Sequence, residues 1–123
     1  MSHLILLISD DESTVRQLRL ALTTTTPECR LGYASSREEV RAFRAPTVIL
    51  LDLMLAGDSA FEVLQWLRIE TQYRGVPVFI LGSEVIDHEV NEAYALGANA
   101  CLLKGREEGL NSLAGLAFAV KRR

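Results

Sequence analysis

Short apolar runs alternate with amphipathic stretches along most of the chain. The runs are short enough to be strands and lie at residues 4–8, 30–34, 47–51, 76–81 and 99–103. All but the second are nearly continuous in apolar residues, which is typical of strands buried on both faces of a parallel sheet. The pattern therefore predicts five strands, of which the second is the weakest.

Helical patterns lie between and after these runs. The first occupies Glu12–Thr25, where apolar residues recur at helical spacing. The second and third open with capping boxes, in which a serine is followed three residues later by a glutamate that can bond back to it. These boxes are Ser36–Glu39 and Ser59–Glu62, and the last two helices are predicted at 86–96, with Gly97 as the stop, and at 107–121. Repeated βα units with right-handed crossovers predict an α/β fold, a doubly wound parallel sheet with helices on both faces.

Charged residues stand where three of the predicted strands end. Asp10, Asp11 and Glu12 follow the first strand, Asp52 follows the third, and Lys104 follows the fifth. Ligands of such sheets bind at the carboxyl ends of the strands, so these residues are expected to meet at one edge. Crowded carboxylates repel one another unless a cation joins them, and Mg²⁺ tolerates a site of few carboxylates plus water. A nearby ammonium group would neutralise an incoming phosphoryl oxygen.

Each of these residues also has an ordinary structural explanation. The acids after the first strand could cap the first helix, Asp52 could be a turn residue, and Lys104 could be solvated. The joint placement at three strand ends favours a site over these separate explanations.

Glycine-rich phosphate loops are absent from the sequence, and the acidic loop after the first strand would repel a phosphate group that is not accompanied by a cation.

Composition narrows the class further. A length of 123 residues fits one domain, here residues 1–123, and a net charge of −3 argues against direct nucleic-acid binding. The apolar run near the N-terminus is too short to cross a membrane and does not suit a signal peptide. Cys29 and Cys101 form no CxxC pair, which makes a zinc site improbable and is compatible with reduced thiols in a cytoplasmic protein.

With these residues in place, the sequence resembles the receiver domains of two-component response regulators across essentially its whole length. The segments that carry the resemblance are 7–12, 48–54, 76–83 and 95–104. The stretch 83–104 is most similar to the small stand-alone receivers, of the chemotaxis-regulator type, that partner bacterial phytochromes. The resemblance implies a flavodoxin-like (βα)₅ fold with strand order 2-1-3-4-5.

The resemblance also implies a mechanism. Asp52 would accept a phosphoryl group from a phosphohistidine on a sensor histidine kinase or a histidine phosphotransfer protein. Asp11, Asp52 and the backbone carbonyl of Met54 would hold Mg²⁺, with Asp10 reaching it through water. Lys104 would pair with the Asp52 carboxylate and then with a phosphoryl oxygen. The domain would catalyse its own phosphorylation and dephosphorylation and would not be an enzyme acting on other substrates.

Two positions depart from the family pattern. The hydroxyl residue at the end of the fourth strand falls on Gly82, and the aromatic residue of the fifth strand falls on Cys101. These are the two halves of the family's usual switch. The adjacent Ser83 could contribute its hydroxyl or its backbone N–H to a phosphoryl group. We therefore expect that Asp52 can still be phosphorylated and that the signal is transmitted differently or weakly.

Other functions stay open on the sequence. One is a phosphorylation-independent pseudo-receiver that acts as a protein-binding module, which Gly82 and Cys101 favour. Another is a phosphatase of the aspartyl-phosphate class, which usually needs a second acid where this chain has Met54. The chain ends with its fifth predicted helix, so either it stands alone and acts through protein contacts or it is a domain excised from a longer protein. A homodimer through the face of helix 4, strand 5 and helix 5 is one such arrangement.

Overall fold

The computed structural model describes residues 3–25, 28–82 and 86–103. Within them, strands and helices alternate along the chain. The strands are β1 (His3–Ile8), β2 (Cys29–Ala34), β3 (Val48–Asp52), β4 (Val78–Gly82) and β5 (Ala100–Leu103). The helices are α1 (Glu12–Thr25), α2 (Arg37–Val40), α3 (Ala60–Ile69) and α4 (Asp87–Ala95). The helix predicted at 107–121 lies outside the described residues.

The five strands form one parallel sheet in the order β2-β1-β3-β4-β5. This confirms the flavodoxin-like arrangement and the strand order that the family resemblance implies. The central β3 is buried at all five of its positions, as its continuous apolar run requires. No described helix is long and apolar enough to cross a bilayer.

Helices cover both faces of the sheet. On one face, side chains of α2, α3 and α4 pack against the sheet, with Val40, Leu64 and Ala93 each at most 1% exposed. On the other face, Leu18 and Leu22 of α1 pack against β1 and β3. Burying a leucine side chain stabilises the fold by about 1.5–3 kcal/mol. Because several large apolar side chains are buried on each face, both helix layers are held firmly against the sheet.

The predicted capping boxes do mark helix starts. The Ser59 hydroxyl accepts from the backbone N–H of Glu62, and the Ser36 hydroxyl accepts from that of Glu39 at 3.2 Å. The Glu39 carboxylate does not complete the box at Ser36. It accepts instead from the N–H and the hydroxyl of Ser35, both at 2.7 Å. α2 is only four residues long, so its cap satisfies much of its backbone.

Gly97 ends α4 as the sequence predicts. Its φ of +106° lies in the left-handed region, where a side chain would be strained. The N–H of Ala98 donates to the carbonyl of Ala93 at 2.9 Å, and the N–H of Gly97 donates to that of Tyr94 at 3.1 Å. This pair of bonds is a Schellman motif, and it turns the chain directly into β5.

Candidate functional site

Asp52 is the last residue of β3 and is fully buried. Because Ile8 pairs with Leu51, the residues that follow, Ser9 and Asp52, lie side by side at the carboxyl end of the sheet. The Ser9 hydroxyl donates to Asp52 Oδ2 at 2.7 Å. The backbone N–H of Met54 donates to Asp52 Oδ1 at 2.9 Å. Both carboxylate oxygens are thus held by donors from the chain itself.

Asp11 is joined to Asp52 through Ser9. The Asp11 backbone N–H donates to the Ser9 hydroxyl oxygen at 3.0 Å, and that hydroxyl in turn donates to Asp52. The Asp11 carboxylate accepts from the N–H and hydroxyl of Ser13 at 3.0 and 2.8 Å, and from the hydroxyl of Thr14 at 2.9 Å. Asp11 therefore caps α1 and also stands beside the buried carboxylate.

Asp10 connects two loops of the same edge. Its Oδ2 accepts from the backbone N–H of Ala56 at 2.6 Å, so the loop after β1 is tied to the loop after β3. Asp10 itself is exposed, in contrast to Asp52. We call Asp10, Asp11 and Asp52 the acidic cluster.

Acidic side chains, some of them outside the acidic cluster, give this edge of the sheet a negative potential. The effect is seen at Tyr33, near the end of β2. The pKa of the Tyr33 hydroxyl is raised first by burial and then by the charges of nearby acids, which are Asp10, Glu12, Glu39 and Asp11. Oxygen donors in a negative environment match the preference of a hard divalent cation such as Mg²⁺.

The side chains of the acidic cluster are directed to protein donors as they stand. Within 3–25, 28–82 and 86–103, no group of three or more His, Cys, Asp or Glu side chains is placed to hold a metal ion together. The donor types fit Mg²⁺, which binds proteins through few carboxylates and keeps several waters. Metal binding would require Asp10 or Asp11 to exchange its present hydrogen bonds for the cation.

An ion pair anchors the loop 53–59, which follows Asp52. Arg37, at the start of α2, donates through Nε and Nη2 to the two oxygens of Asp58 at 2.7 and 2.9 Å. The pair holds the pKa of the Asp58 carboxyl below its ordinary value, chiefly through the hydrogen bond from Arg37. The loop that carries Met54 and Ala56 is thereby fixed at its far end.

The two departures from the family pattern lie on β4 and β5. Gly82 is the buried last residue of β4, next to β3 on the side away from Ser9. Cys101 pairs with Ile80, is partly buried, and packs against the core beneath α3 and α4. Burial raises the pKa of the Cys101 thiol, so it behaves as a small apolar side chain. Lys104 and Ser83 lie outside the described residues.

Sequence reasoning missed Ser9 and the Arg37–Asp58 pair. Ser9 could have been found from its position, since it is the polar residue at the end of a buried strand that pairs with the strand of Asp52. The Arg37–Asp58 pair joins residues 21 positions apart in the sequence, and no local pattern signals such a contact.

Solved structures of similar fold cover nearly the whole chain. The signal receiver domain of a DNA-binding response regulator from Colwellia psychrerythraea 34H superposes with a TM-score of 0.87 at 21% identity, covering 99% of this chain and 100% of that chain. The Mn²⁺-bound form of response regulator Rcp1 has a TM-score of 0.76 at 26% identity, covering 97% and 91%. The phosphorylated cyanobacterial phytochrome response regulator RcpA has a TM-score of 0.80 at 21% identity, covering 99% and 93%.

No protein-family model and no curated protein sequence matches the chain.

Proposed function

We propose that this chain, which has the fold of response regulator receiver domains, accepts a phosphoryl group on Asp52 as one step of a phosphorelay. The observation that carries the proposal is the acidic cluster. A fully buried carboxylate stands at the end of the central strand, held by Ser9 and Met54, with two further acids on the adjacent loop. A buried carboxylate kept at the ligand-binding edge is costly for the fold, and such costs are typical of functional sites.

The proposed transfer forms one bond and breaks another. An oxygen of Asp52 attacks phosphorus, and the bond from phosphorus to the donor histidine nitrogen breaks with its electron pair remaining on that nitrogen. The chain's own contribution is to hold the nucleophile, since the donors from Ser9 and Met54 fix the carboxylate plane. The domain would promote its own phosphorylation and hydrolysis in this way.

Asp11, Asp52 and the carbonyl of Met54 would hold Mg²⁺, with Asp10 linked through water. When bound, the ion would shield the negative charge that accumulates between phosphate and carboxylates. The Mn²⁺-bound Rcp1 structure supports a divalent cation in proteins of this fold. Lys104 and Ser83 are proposed to contact the phosphoryl oxygens.

The proposed partner is a sensor histidine kinase or a histidine phosphotransfer protein, in the cytoplasm. The phosphorylated state of the similar RcpA supports phosphoryl transfer as the chemistry. Output would pass through protein contacts, including those of a homodimer formed by α4, β5 and the helix predicted at 107–121. With Gly82 and Cys101 in place of a hydroxyl and an aromatic residue, that output would not use the family's usual switch.

A second candidate function is a pseudo-receiver, which binds partners without being phosphorylated. The small residues at Gly82 and Cys101 favour it, because the groups that normally report phosphorylation are missing. The intact acidic cluster favours phosphorylation. A binding test of any identified partner with Asp52→Asn protein would separate the two, since a pseudo-receiver should bind equally well with either residue.

The proposal is tested by incubating the protein with acetyl phosphate or phosphoramidate, with and without Mg²⁺, and measuring its intact mass. We expect the mass of one added phosphoryl group in the wild type with Mg²⁺, and none in Asp52→Asn. Asp87→Asn serves as a matched control, because it makes the same chemical change in an exposed carboxylate on α4, outside the acidic cluster and the loop 53–59. An unmodified wild type, beside a standard receiver that is modified in parallel, would contradict the proposal.

A further inference from the structure

Ser9 is a buried hydroxyl in direct contact with the proposed nucleophile. It is fully buried, and its oxygen lies 2.7 Å from Asp52 Oδ2. Its backbone N–H donates to the carbonyl of Ala34 at 2.9 Å, which extends the pairing of β1 with β2 by one residue. Hydrogen bonds therefore hold both the backbone and the side chain of Ser9 in place.

The orientation of the Ser9 hydroxyl is also fixed. A serine hydroxyl has one proton to donate and lone pairs that accept. The backbone N–H of Asp11 occupies an acceptor position at 3.0 Å, which leaves the proton directed at Asp52. Hydrogen bonds in a chain of this kind polarise one another, and a hydroxyl donating to an ionised carboxylate is among the stronger neutral donors.

The two oxygens of Asp52 differ in their surroundings. Oδ2 is bonded to Ser9, and both of those side chains are fully buried. Oδ1 accepts a hydrogen bond from the backbone N–H of Met54, a residue that is 67% exposed and lies in the surface loop after β3. Oδ1 therefore lies on the side of the carboxylate that faces the loop after β3, and Oδ2 on the side of the buried Ser9.

We propose that Ser9 is a positioning residue that reserves Asp52 Oδ2 as the non-reacting oxygen and shortens the lifetime of the aspartyl phosphate. This rests on the proposed function of Asp52. After transfer to Oδ1, Oδ2 becomes the neutral carbonyl oxygen of the acyl phosphate and keeps the bond to Ser9. The hydroxyl is buried and already engaged, so it stays on this oxygen and does not reach the phosphoryl group.

The direction of the effect follows from charge. In hydrolysis, water attacks phosphorus, the bond from phosphorus to Oδ1 breaks, and its electron pair returns to the carboxylate. One water proton stays on the new phosphate oxygen and the other passes to solvent or to the phosphate. Negative charge that returns to the carboxylate is shared with Oδ2, where the Ser9 hydroxyl stabilises it more than it stabilises the neutral carbonyl. Ser9 therefore lowers the barrier to loss of the phosphoryl group.

The Ser9 hydroxyl lies on the opposite side of Asp52 from the hydroxyl of the family pattern. The sequence lacks a hydroxyl at Gly82, on the β4 side of Asp52, and carries one at Ser9, on the β1 side. The family resemblance implies that a hydroxyl on the β4 side would contact the phosphoryl group, whereas the Ser9 hydroxyl contacts the carboxylate. The two placements act on different parts of the phosphorylated residue, so Ser9 does not replace the missing switch.

The test is a pair of rates for the full chain with acetyl phosphate and Mg²⁺: formation of the adduct, and its loss after the donor is removed. We expect Ser9→Ala to slow the loss by about three- to tenfold, the amount by which a hydrogen bond to a carboxylate exceeds one to a neutral carbonyl, without slowing formation. Ser9→Thr, which keeps the hydroxyl, should restore fast loss. Thr47→Val removes a hydroxyl that is hydrogen-bonded to His3 at the amino ends of β1 and β3, away from Asp52, and should leave both rates unchanged.

The outcomes separate the two proposals. If the wild type forms no adduct, the proposed function of Asp52 fails. If the wild type forms an adduct and Ser9→Ala loses it at the same rate or faster, the role of Ser9 fails. A purely structural role would slow formation as well, and that result would also overturn the inference. Should Ser9→Ala not fold, Ser9→Cys keeps the volume with a much weaker donor and is expected to give the same slow loss.

Discussion

At the scale of single residues, Asp11 combines two roles that the sequence presented as alternatives. Its carboxylate caps α1 through Ser13 and Thr14, and its backbone N–H supports the Ser9 hydroxyl that holds Asp52. Capping and membership of the acidic cluster are therefore compatible in one side chain. A helix start positioned by its own cap gives the cluster a fixed geometry that a free loop would not provide.

The Arg37–Asp58 pair makes a prediction about acid stability. Asp58→Asn should lower the free energy of unfolding by about 0.5–1 kcal/mol at neutral pH, as expected for a bidentate pair that is partly exposed. The folded-state pKa of Asp58 is lowered, so this contribution is present above the ordinary Asp pKa of about 3.9 and is lost as the pH falls through the lower folded value. Urea titrations across that range should show that the difference in the free energy of unfolding between wild type and variant disappears in acid.

Glu62→Gln is the control, because Glu62 lies 3.8 Å from Arg37 and is largely exposed. A difference that persists in strong acid would contradict this assignment.

At the scale of elements, Arg68 joins the end of α3 to the turn before β5. Its guanidinium donates to the carbonyl of Gly97 at 2.7 and 3.0 Å and to the carbonyl of Val76 at 2.8 Å. It also donates to Asn99 Oδ1 at 2.9 Å, and the same oxygen accepts from the N–H of Val78. Burial lowers the pKa of Arg68, and the carbonyl acceptors compensate that burial. One side chain thus fixes the entries to β4 and β5.

Replacing Arg68 should cost stability even when the charge is kept. Arg68→Lys is expected to reduce the free energy of unfolding by about 2 kcal/mol, because an ammonium group cannot serve several diverging carbonyls as a planar fork does. Chemical denaturation measures the loss. Arg16→Lys, on the exposed face of α1, should change stability by less than about 0.5 kcal/mol. Equal effects at the two positions would show that the carbonyl contacts of Arg68 are not stabilising.

At the scale of the whole molecule, the sequence predicted what depends on local pattern. Buried strands have nearly continuous apolar runs, so their number was predictable, and the family resemblance supplied the order in which they pair. The start of β4 was misplaced by two residues, because Val76 and Pro77 extend the apolar run while the strand begins at Val78. Proline has no N–H to donate to a sheet, which favours its place before the strand. The hydrogen bond between Ser9 and Asp52 spans 43 positions and depends on side-chain direction, which no local pattern encodes.

Magnesium should stabilise the whole fold if the acidic cluster binds it. Binding to the folded state alone contributes about 2.7 kcal/mol when free Mg²⁺ exceeds its dissociation constant a hundredfold. For a domain of this size we expect the Tm to rise by roughly 10 °C, measured by thermal denaturation. Asp11→Asn is the matched variant, since asparagine still caps α1 while the ligand charge is removed, and its Tm should respond much less. The same response in wild type and variant would place the cation elsewhere.

Phosphorylation of Asp52 is tested most directly by locating the phosphoryl group on the chain. Protein treated with acetyl phosphate and Mg²⁺ is reduced with borohydride, which converts an aspartyl phosphate to homoserine, and is then sequenced by tandem mass spectrometry. We expect homoserine at position 52, dependent on Mg²⁺, with Asp10, Asp11 and Asp58 unchanged. Homoserine at another position, or at none while a standard receiver reacts, would show that Asp52 is not the phosphoryl acceptor.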